Sequence, residues 1–585
     1  MTNWLYGPLW DVAPDLWASL DSAFAAWPPR TAVVVDPAEG LALSPADLRE
    51  RVELAAGALV AAGALPGERV VLDIERSVDE IVFVLACVRQ GVVYVGARAG
   101  APVGARSAWC QDADPVLVVT RRPEAWPGIH TIDPRGGHRT GVTPEPAPSA
   151  VCYLSYTSGT SGEPKGVEAP CEGVDRLMRG ADYCALSSGD RILRFAPLAF
   201  DASTFEIFVG LWRRATIVIG PVGPLDLDAL ASFLREQKID VCWLTAGLFS
   251  AMVERRPDAF GELVQVLTGG DRVSAAAVTE LLKRFPKLSV VNGYGPTEAT
   301  TFATVRVLSE TDLGLESVPI GRPIAGTDVG VSDDGEILIA GRGLAAGYRN
   351  DPELTNRRFV EEDGRRVYRT GDLGVLIDGE LHFRGRLDRQ LKIRGVRVEP
   401  SAVDEWFRRE RLVVDSWTFG RPSRAGTALV CAFVPRPGTA DPVTTLRSSL
   451  AESGIPDQAI PHRFIAVTAI PLTPNGKVDE AALVEELAQE TAPVVRPSND
   501  LDPTELVPRV REAWVVALGL SGFDDQSGFF DAGGDSLSLA ALHAVLDDMF
   551  PDLEVKLVDL LLYPSVTAQA AWLSRRLMEV EPPLE

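Results

Sequence analysis

Between Tyr153 and Val167 the chain reads YLSYTSGTSGEPKGV, an apolar start followed by interleaved hydroxyl and glycine residues and then Lys165. Glycines let backbone amides approach phosphate oxygens, hydroxyls add hydrogen bonds, and a lysine adds a point charge. The spacing is not the G-x-x-x-x-G-K-[ST] of P-loop proteins, and by composition alone the stretch suits either a phosphate-binding loop of another design or a flexible surface loop. Other chemistries are poorly supplied. The five histidines (His130, His138, His382, His462, His543) form no H-E-x-x-H or H-x-E pattern, which argues against zinc hydrolysis. The seven cysteines are scattered without a C-x-x-C pair, as expected of a reduced, cytoplasmic protein with no disulfide framework. A formal net charge of −24 argues against a nucleic-acid-coating role.

The elements that must position this loop alternate. Short β-branched runs at Ala32–Asp36, Val70–Ile74, Val116–Thr120, Ala215–Gly220, Val241–Thr245 and Ser289–Gly295 are each followed by a helical pattern. Buried strands alternating with helices predict a largely parallel α/β sheet, whose ligands gather at the strand carboxyl ends. From about Val329 to Val398 the style changes. Asp334-Gly335 and Asp378-Gly379 sit between alternating apolar runs and predict antiparallel hairpins. A mixed pattern from about Arg386 to Leu487 predicts a small α+β unit, and the proline-rich, polar stretch Glu490–Asp500 a linker. Helical periodicity returns over Leu506–Leu520, Leu537–Phe550 and Val566–Met578. Asp502–Glu585 carries 15 acidic against 5 basic residues, which marks a separate acidic helical bundle of four-helix type. The domain boundaries expected are 1–385, 386–490, a linker over 491–503, and 504–580. At 585 residues the chain has room for these parts. The first residues lack a signal-peptide pattern, and no apolar run reaches the ~18 residues of a membrane span.

Further strings follow the phosphate loop in order: FDAS (Phe200–Ser203), NGYGPTE (Asn292–Glu298), GEILIAGRGLAAGY (Gly335–Tyr348), YRTGDL (Tyr368–Leu373), GRLDRQLKIRGVRVE (Gly385–Glu399) and NGKVD (Asn475–Asp479). With that loop, the set resembles the adenylate-forming enzymes over roughly residues 15–485, and is most similar to the adenylation domains of nonribosomal peptide synthetases. The resemblance implies ATP and Mg²⁺. It assigns nucleotide binding to Thr157, Ser158, Gly159, Thr160, Ser161, Gly162, Lys165, Asn292, Gly293, Tyr294, Thr297, Asp372 and Arg386. Within that set Tyr294 stacks on adenine, Asn292 reaches its edge, and Asp372 accepts from the ribose hydroxyls. Glu298 holds Mg²⁺, since a hard cation wants carboxylate oxygen. Lys165 and Lys477 are the catalytic lysines the resemblance implies, and Lys477 serves the first step as an ammonium between the attacking carboxylate and the α-phosphate. Asp388 is the hinge about which the small domain rotates between half-reactions.

FDAS points to an amino acid as the substrate. An ammonium that leaves water for a pocket needs a paired carboxylate, and Asp201 fits. The resemblance gives the other pocket positions as Ala202, Phe205, Trp243, Leu267, Gly269, Gly293, Thr301 and Phe302, with Lys477 holding the substrate carboxylate. This wall is apolar apart from Thr301. Three aromatics close it, and Gly269 with Gly293 are expected to leave a gap for a branched side chain. The set is similar to valine-activating domains, with isoleucine and leucine next, because one methylene is worth only about 1–3 kcal/mol.

FFDAGGDSLSLAAL (Phe529–Leu542) resembles a peptidyl carrier attachment site, so Ser536 is expected to carry 4′-phosphopantetheine. That implies a phosphopantetheinyl transferase and downstream condensation or tailoring enzymes as partners, with an MbtH-like activator kept open. Relatives have a glycine- and proline-rich stretch after the position of Cys87; here it is degenerate, and Ser161 stands where threonine is commoner. With no room for condensation, epimerisation or thioesterase domains, the chain reads as a loading module or a free-standing two-domain protein. Two other readings share part of the motif set. A CoA ligase has no use for Asp201 or a fused carrier. A weakly active docking scaffold has no use for intact Lys165, Asp372 and Lys477.

Overall fold

The computed structural model describes the chain apart from residues 1, 10–14, 29–30, 98–108, 137–143, 158–163, 224–225, 316, 363, 388–390, 394–395, 411, 424–425, 437–442, 444, 447–448, 451–459, 462, 472–477, 479, 481, 485–502, 519–523, 527–528, 530–538, 540–541, 544, 547–548, 551–552, 554, 556–558, 561–562 and 580–585.

The β-branched runs form two parallel sheets. In the larger, Ser289–Tyr294, Gln265–Gly269, Val241–Thr245, Arg191–Arg194, Thr216–Ile219 and Val34–Asp36 run parallel side by side, with antiparallel strands at each edge. In the smaller, Thr131–Ile132, Leu117–Thr120, Arg69–Asp73, Val93–Gly96 and Val151–Thr157 are parallel, and Lys165–Pro170 folds back antiparallel on the last. Ser77 caps the helix Val78–Arg89 by accepting from the Glu80 amide. This helix touches strands of both sheets. All its residues but Asp79 are buried, as its nearly unbroken apolar sequence demands.

That helix has a cost. Its first turn carries Glu80, which is 1% exposed. Arg194, at the end of its strand and wholly buried, lies with Nη2 2.9 Å from Glu80 Oε2. Its Nη1 donates to Glu206 Oε2 at 2.8 Å. Glu206 also accepts from the amides of Phe195 (2.9 Å) and Ala196 (3.0 Å). Burial pushes both carboxyls above their usual range, and the Arg194 charge pulls against it. Burial also works against the Arg194 charge, but the two carboxylates outweigh it and hold the guanidinium above its usual pKa.

The hairpins follow the expected turns. Thr327–Val331 pairs with Glu336–Gly341, and Arg365–Ile377 with Glu380–Arg386. Asp378 and Gly379 both take positive φ, 52° and 75°, which the tight turn requires. The N-terminal strand Asn3–Tyr6 adds to this antiparallel sheet along Thr327–Val331. Beyond it, helix Pro400–Arg409 packs on the hairpin Val413–Ser423 and Gly426–Pro435, with Arg463–Ala466 parallel to the second strand. The described part of the acidic tail contains two long helices. Pro503–Leu518 and Val566–Glu579 pack together around Leu506, Val510, Trp514, Leu542 and Leu573. Trp514 meets Phe529 edge-on at 4.8 Å and donates from Nε1 to Gln569 Oε1 at 2.8 Å. The fold is the α/β, antiparallel, small α+β and helical series that the sequence predicts. The linker expected over 491–503 lies outside the described residues except for Pro503, where the first helix of the tail begins.

Removing one member of a buried ion pair leaves an uncompensated charge. Glu206→Ala is therefore expected to lower the unfolding free energy of the parallel-sheet region by about 3–5 kcal/mol, read from denaturant midpoints. Surface pairs such as Arg408–Glu405 are expected to give less than about 1 kcal/mol on the same substitution.

Candidate functional site

The strand carboxyl ends of both parallel sheets and one corner of the antiparallel sheet supply the site residues. Strand Val151–Thr157 ends at Thr157, which pairs with Lys165 at the start of Lys165–Pro170; both are half-buried. The connection between them, with Ser158, Gly159, Thr160, Ser161 and Gly162, lies outside the described residues, as do Asp388, Lys477 and Ser536.

Strand Ser289–Tyr294 carries Asn292, Gly293 and Tyr294 in succession. Asn292 is 3% exposed and donates from Nδ2 to the Pro319 carbonyl at 2.8 Å. The Tyr294 hydroxyl donates to Asp372 Oδ2 at 2.6 Å. Burial, and then the Asp372 charge, hold this phenol well above its usual pKa. The other oxygen, Asp372 Oδ1, is bound by Arg386, which also reaches the Thr370 carbonyl at 3.3 Å. Tyr294, Asp372 and Arg386 thus meet in one cluster, although they come from three separate strings.

Thr297 opens a short turn, Thr297–Ala299, that carries Glu298. Glu298 is fully buried, and its Oε1 accepts from the Tyr348 hydroxyl at 2.5 Å. Tyr348 Oη lies 3.3 Å from Tyr368 Oη. Among the described residues no three His, Cys, Asp or Glu side chains gather as a metal cage. A single carboxylate beside hydroxyl groups suits Mg²⁺, which takes most of its oxygens from phosphate and water. Glu298 would hold such an ion, and the ion would supply positive charge against the phosphates. Tyr348 was not singled out from the sequence, although it closes the quoted string Gly335–Tyr348.

Four of the residues expected to line the substrate pocket, Trp243, Leu267, Gly269 and Gly293, share one face by register. Trp243 lies opposite Leu267, and Gly269 opposite Gly293. Period-2 alternation then puts Leu267 and Gly269 on the same side of their strand. Asp201, half-buried, precedes the helical turn Ala202–Thr204, which widens into a π-helical turn over Phe205–Val209. Such turns re-aim side chains and recur at functional sites. Phe205 is wholly buried and packs on Phe302, ring centres 5.6 Å apart. Tyr183, which carried no sequence signal, completes an aromatic trio at 6.4 and 5.9 Å from these two rings. Thr301 Oγ1 donates to the Asp201 carbonyl at 2.9 Å. Trp243 is half-buried, and its Nε1 has no hydrogen-bond partner among the described residues.

Gly269 and Gly293 do not leave the expected gap. A Cβ on Gly269 would lie 2.1 Å from the Gly293 carbonyl oxygen, and one on Gly293 would lie 2.6 Å from the Phe302 ring. The glycines admit a neighbouring backbone and a ring, so the space above them is already filled. The residues around them are large, apolar and buried: Phe205, Leu267 and Phe302.

The family profile described as AMP-binding enzyme matches residues 20–349, and that of the phosphopantetheine attachment site matches residues 508–573. A linear gramicidin synthase protein of Brevibacillus parabrevis is 35% identical over 545 residues, covering 88% of this chain and 7% of the synthase protein. Surfactin synthase subunit 2 of Bacillus subtilis is 33% identical over 553 residues, covering 89% and 15%. This chain therefore spans a small fraction of the length of those curated relatives. A solved structure of an NRPS protein containing adenylation and PCP domains, bound to a vinylsulfonamide inhibitor, matches at TM-score 0.80 and 31% identity, covering 96% of this chain and 97% of that one. An artificially fused adenylation–PCP didomain from Klebsiella oxytoca matches at TM-score 0.69 and 25% identity, covering 78% and 94%.

The cluster around Asp372 predicts a titration. Asp372→Asn removes the negative charge beside the Tyr294 hydroxyl, so phenolate formation becomes easier. One tyrosine is expected to ionise at lower pH than in the parent, seen by ultraviolet difference titration. The shift should vanish when Tyr294→Phe is added.

Proposed function

The chain belongs to the AMP-binding enzymes, an adenylating ligase fused to a phosphopantetheine-bearing carrier as in nonribosomal peptide synthetases, and from this we propose that its amino acid is L-valine. The substrate carboxylate attacks the α-phosphorus of ATP, a P–O bond forms, and pyrophosphate leaves with the bonding electrons. The pantetheine thiolate on Ser536 then attacks the acyl carbon of valyl-AMP, and AMP leaves. Among this chain's residues, Lys477 screens the two anions in the first step. Tyr294 and Asp372 receive the nucleoside, and Asp201 pairs the α-ammonium.

The observation that carries the valine reading is the composition of the acid pocket. Phe205, Phe302, Trp243 and Leu267 offer no buried charge to a polar side chain, and Asp201 is tied through its carbonyl to Thr301 at the pocket edge. With Gly269 and Gly293 already filled by their neighbours, the support comes from apolar chemistry and bulk rather than from a built-in gap. We assign the reaction to the cytoplasm, where thiols stay reduced; none of the seven cysteines forms a disulfide. No helix among the described residues is long and apolar enough to cross a membrane. A phosphopantetheinyl transferase and a downstream condensation or tailoring enzyme complete the partners, and co-expression with an MbtH-like activator tests whether one is needed.

A pyrophosphate-exchange panel over the twenty amino acids tests the substrate. Valine is expected first, isoleucine and leucine weaker, and phenylalanine, aspartate and lysine near background. A best substrate that is aromatic, charged or without an amino group would overturn the pocket assignment and leave the ATP chemistry standing. Asp201→Ala leaves the ammonium buried and uncompensated, at a cost of about 3–5 kcal/mol. Valine turnover should therefore fall by orders of magnitude, while hydroxy-acid analogues lose less.

Two further substitutions separate the half-reactions. Lys477→Ala is expected to remove adenylate formation yet keep thioester transfer from supplied valyl-AMP; equal loss in both would refute its role. Ser536→Ala should still make valyl-AMP but carry no acyl mass after treatment with the transferase.

A further inference from the structure

Arg176 is a wholly buried guanidinium for which the described residues provide no ion pair. It sits on helix Cys171–Arg179, directly after the strand that starts at Lys165. Its Nη2 donates to the carbonyls of Ala299, Thr300 and Phe302, each at 3.0 Å, and its Nη1 to Thr327 Oγ1. A charge buried among neutral oxygens needs such a concentration of acceptors to be tolerated.

The segment it grips is strained. Thr300 and Thr301 are consecutive β-branched residues with φ of 54° and 69°, a conformation such residues rarely adopt. It persists only where the surroundings over-determine it. Three contacts do so. Thr300 Oγ1 donates to the Gly343 carbonyl at 2.7 Å. A Cβ on Gly173, on the same helix as Arg176, would lie 2.5 Å from Thr300 Oγ1. A Cβ on Gly343 would lie 2.7 Å from the Arg176 guanidinium. The strained pair then delivers two side chains to the acid pocket. Thr301 reaches the Asp201 carbonyl, and Phe302 packs on Phe205 and over Gly293.

We propose that Arg176 is a positioning residue for substrate selection, which holds the left-handed Thr300–Thr301 turn so that Thr301 and Phe302 form one wall of the amino-acid pocket. This rests on the reading of that pocket given above. Arg176 touches no reacting atom. It acts through three carbonyls, those of Thr300 and Phe302 on the amino-acid side and that of Ala299 at the end of the turn carrying Glu298, while Tyr294, Asp372 and Arg386 are held by other contacts.

The test is pyrophosphate exchange with the preferred amino acid. Arg176→Lys can satisfy fewer of the carbonyls from one direction. It is expected to raise the amino-acid KM by about tenfold or more, leave the ATP KM within about threefold, and flatten the preference among aliphatic amino acids. Adding Thr300→Gly, which adopts positive φ without strain, should recover much of the amino-acid KM. Equal rises in both KM values, a fall in kcat alone, or a double variant worse than Arg176→Lys would overturn the proposal. If Arg176→Lys does not fold, Gly343→Ala pushes on the same guanidinium and must give the same split; parent-like kinetics would overturn it. Phe302→Leu separates this inference from the reading beneath it. A changed preference in Phe302→Leu beside an unchanged one in Arg176→Lys refutes the role of Arg176 alone. No change in Phe302→Leu refutes the pocket reading, and the proposal with it.

Discussion

Glu80 must be ionised or neutralised inside a helix that has a sheet on either side, and the answer to that constraint organises the molecule. Arg194 meets it from the end of a central strand and is shared with Glu206. Arg76, half-buried beside them, adds a second cation to the same field and donates to the Pro221 carbonyl. Two carboxylates and two guanidinium groups therefore balance one another between the sheets. Isolated, any one of them would be costly; together they fix the sheet, the helix between the sheets and the π-helical turn relative to one another. Asp201 and Phe205 lie on that turn or at its entry, so the proposed amino-acid pocket inherits its geometry from a charge network it does not include.

The second organising feature is the close approach of backbone at the strand ends. Gly269 and Gly293 let adjacent strands and the Phe302 ring come nearer than any side chain would allow. Bulk is thereby moved from strand residues to rings delivered by neighbouring segments. The apolar packing here comes from Phe205, Tyr183 and Phe302 resting on each other, with no hole left at glycine.

The cluster around Asp372 is built differently. Tyr294 belongs to a parallel-sheet strand, and Asp372 and Arg386 to the antiparallel sheet. Their shared hydrogen bonds join two sheets at one carboxylate. Glu298, between these regions, is held by Tyr348 from the antiparallel side. Strand Ser289–Tyr294 and the turn after it thus connect the two halves of the site, which is consistent with strain being concentrated at Thr300 and Thr301.

The ordered strings from Tyr153 to Asp479 determined the family, because phosphate, ribose and ammonium each demand particular groups at short local spacing. Hairpins at Asp334-Gly335 and Asp378-Gly379 were equally legible, since positive φ at a tight turn is a local requirement. Tyr183, Arg176 and the Glu80–Arg194–Glu206 set were not legible. Each is an ordinary residue type whose own segment gives no sign of its role, and its meaning comes from partners as far away as 151 positions, as between Arg176 and Thr327. Gly269 and Gly293 show the same limit from the other side. Sequence marks a glycine as permissive, but only the fold decides whether the room it leaves is kept or filled. Local chemistry is written in order along the chain, whereas packing and charge compensation depend on which segments the fold brings together.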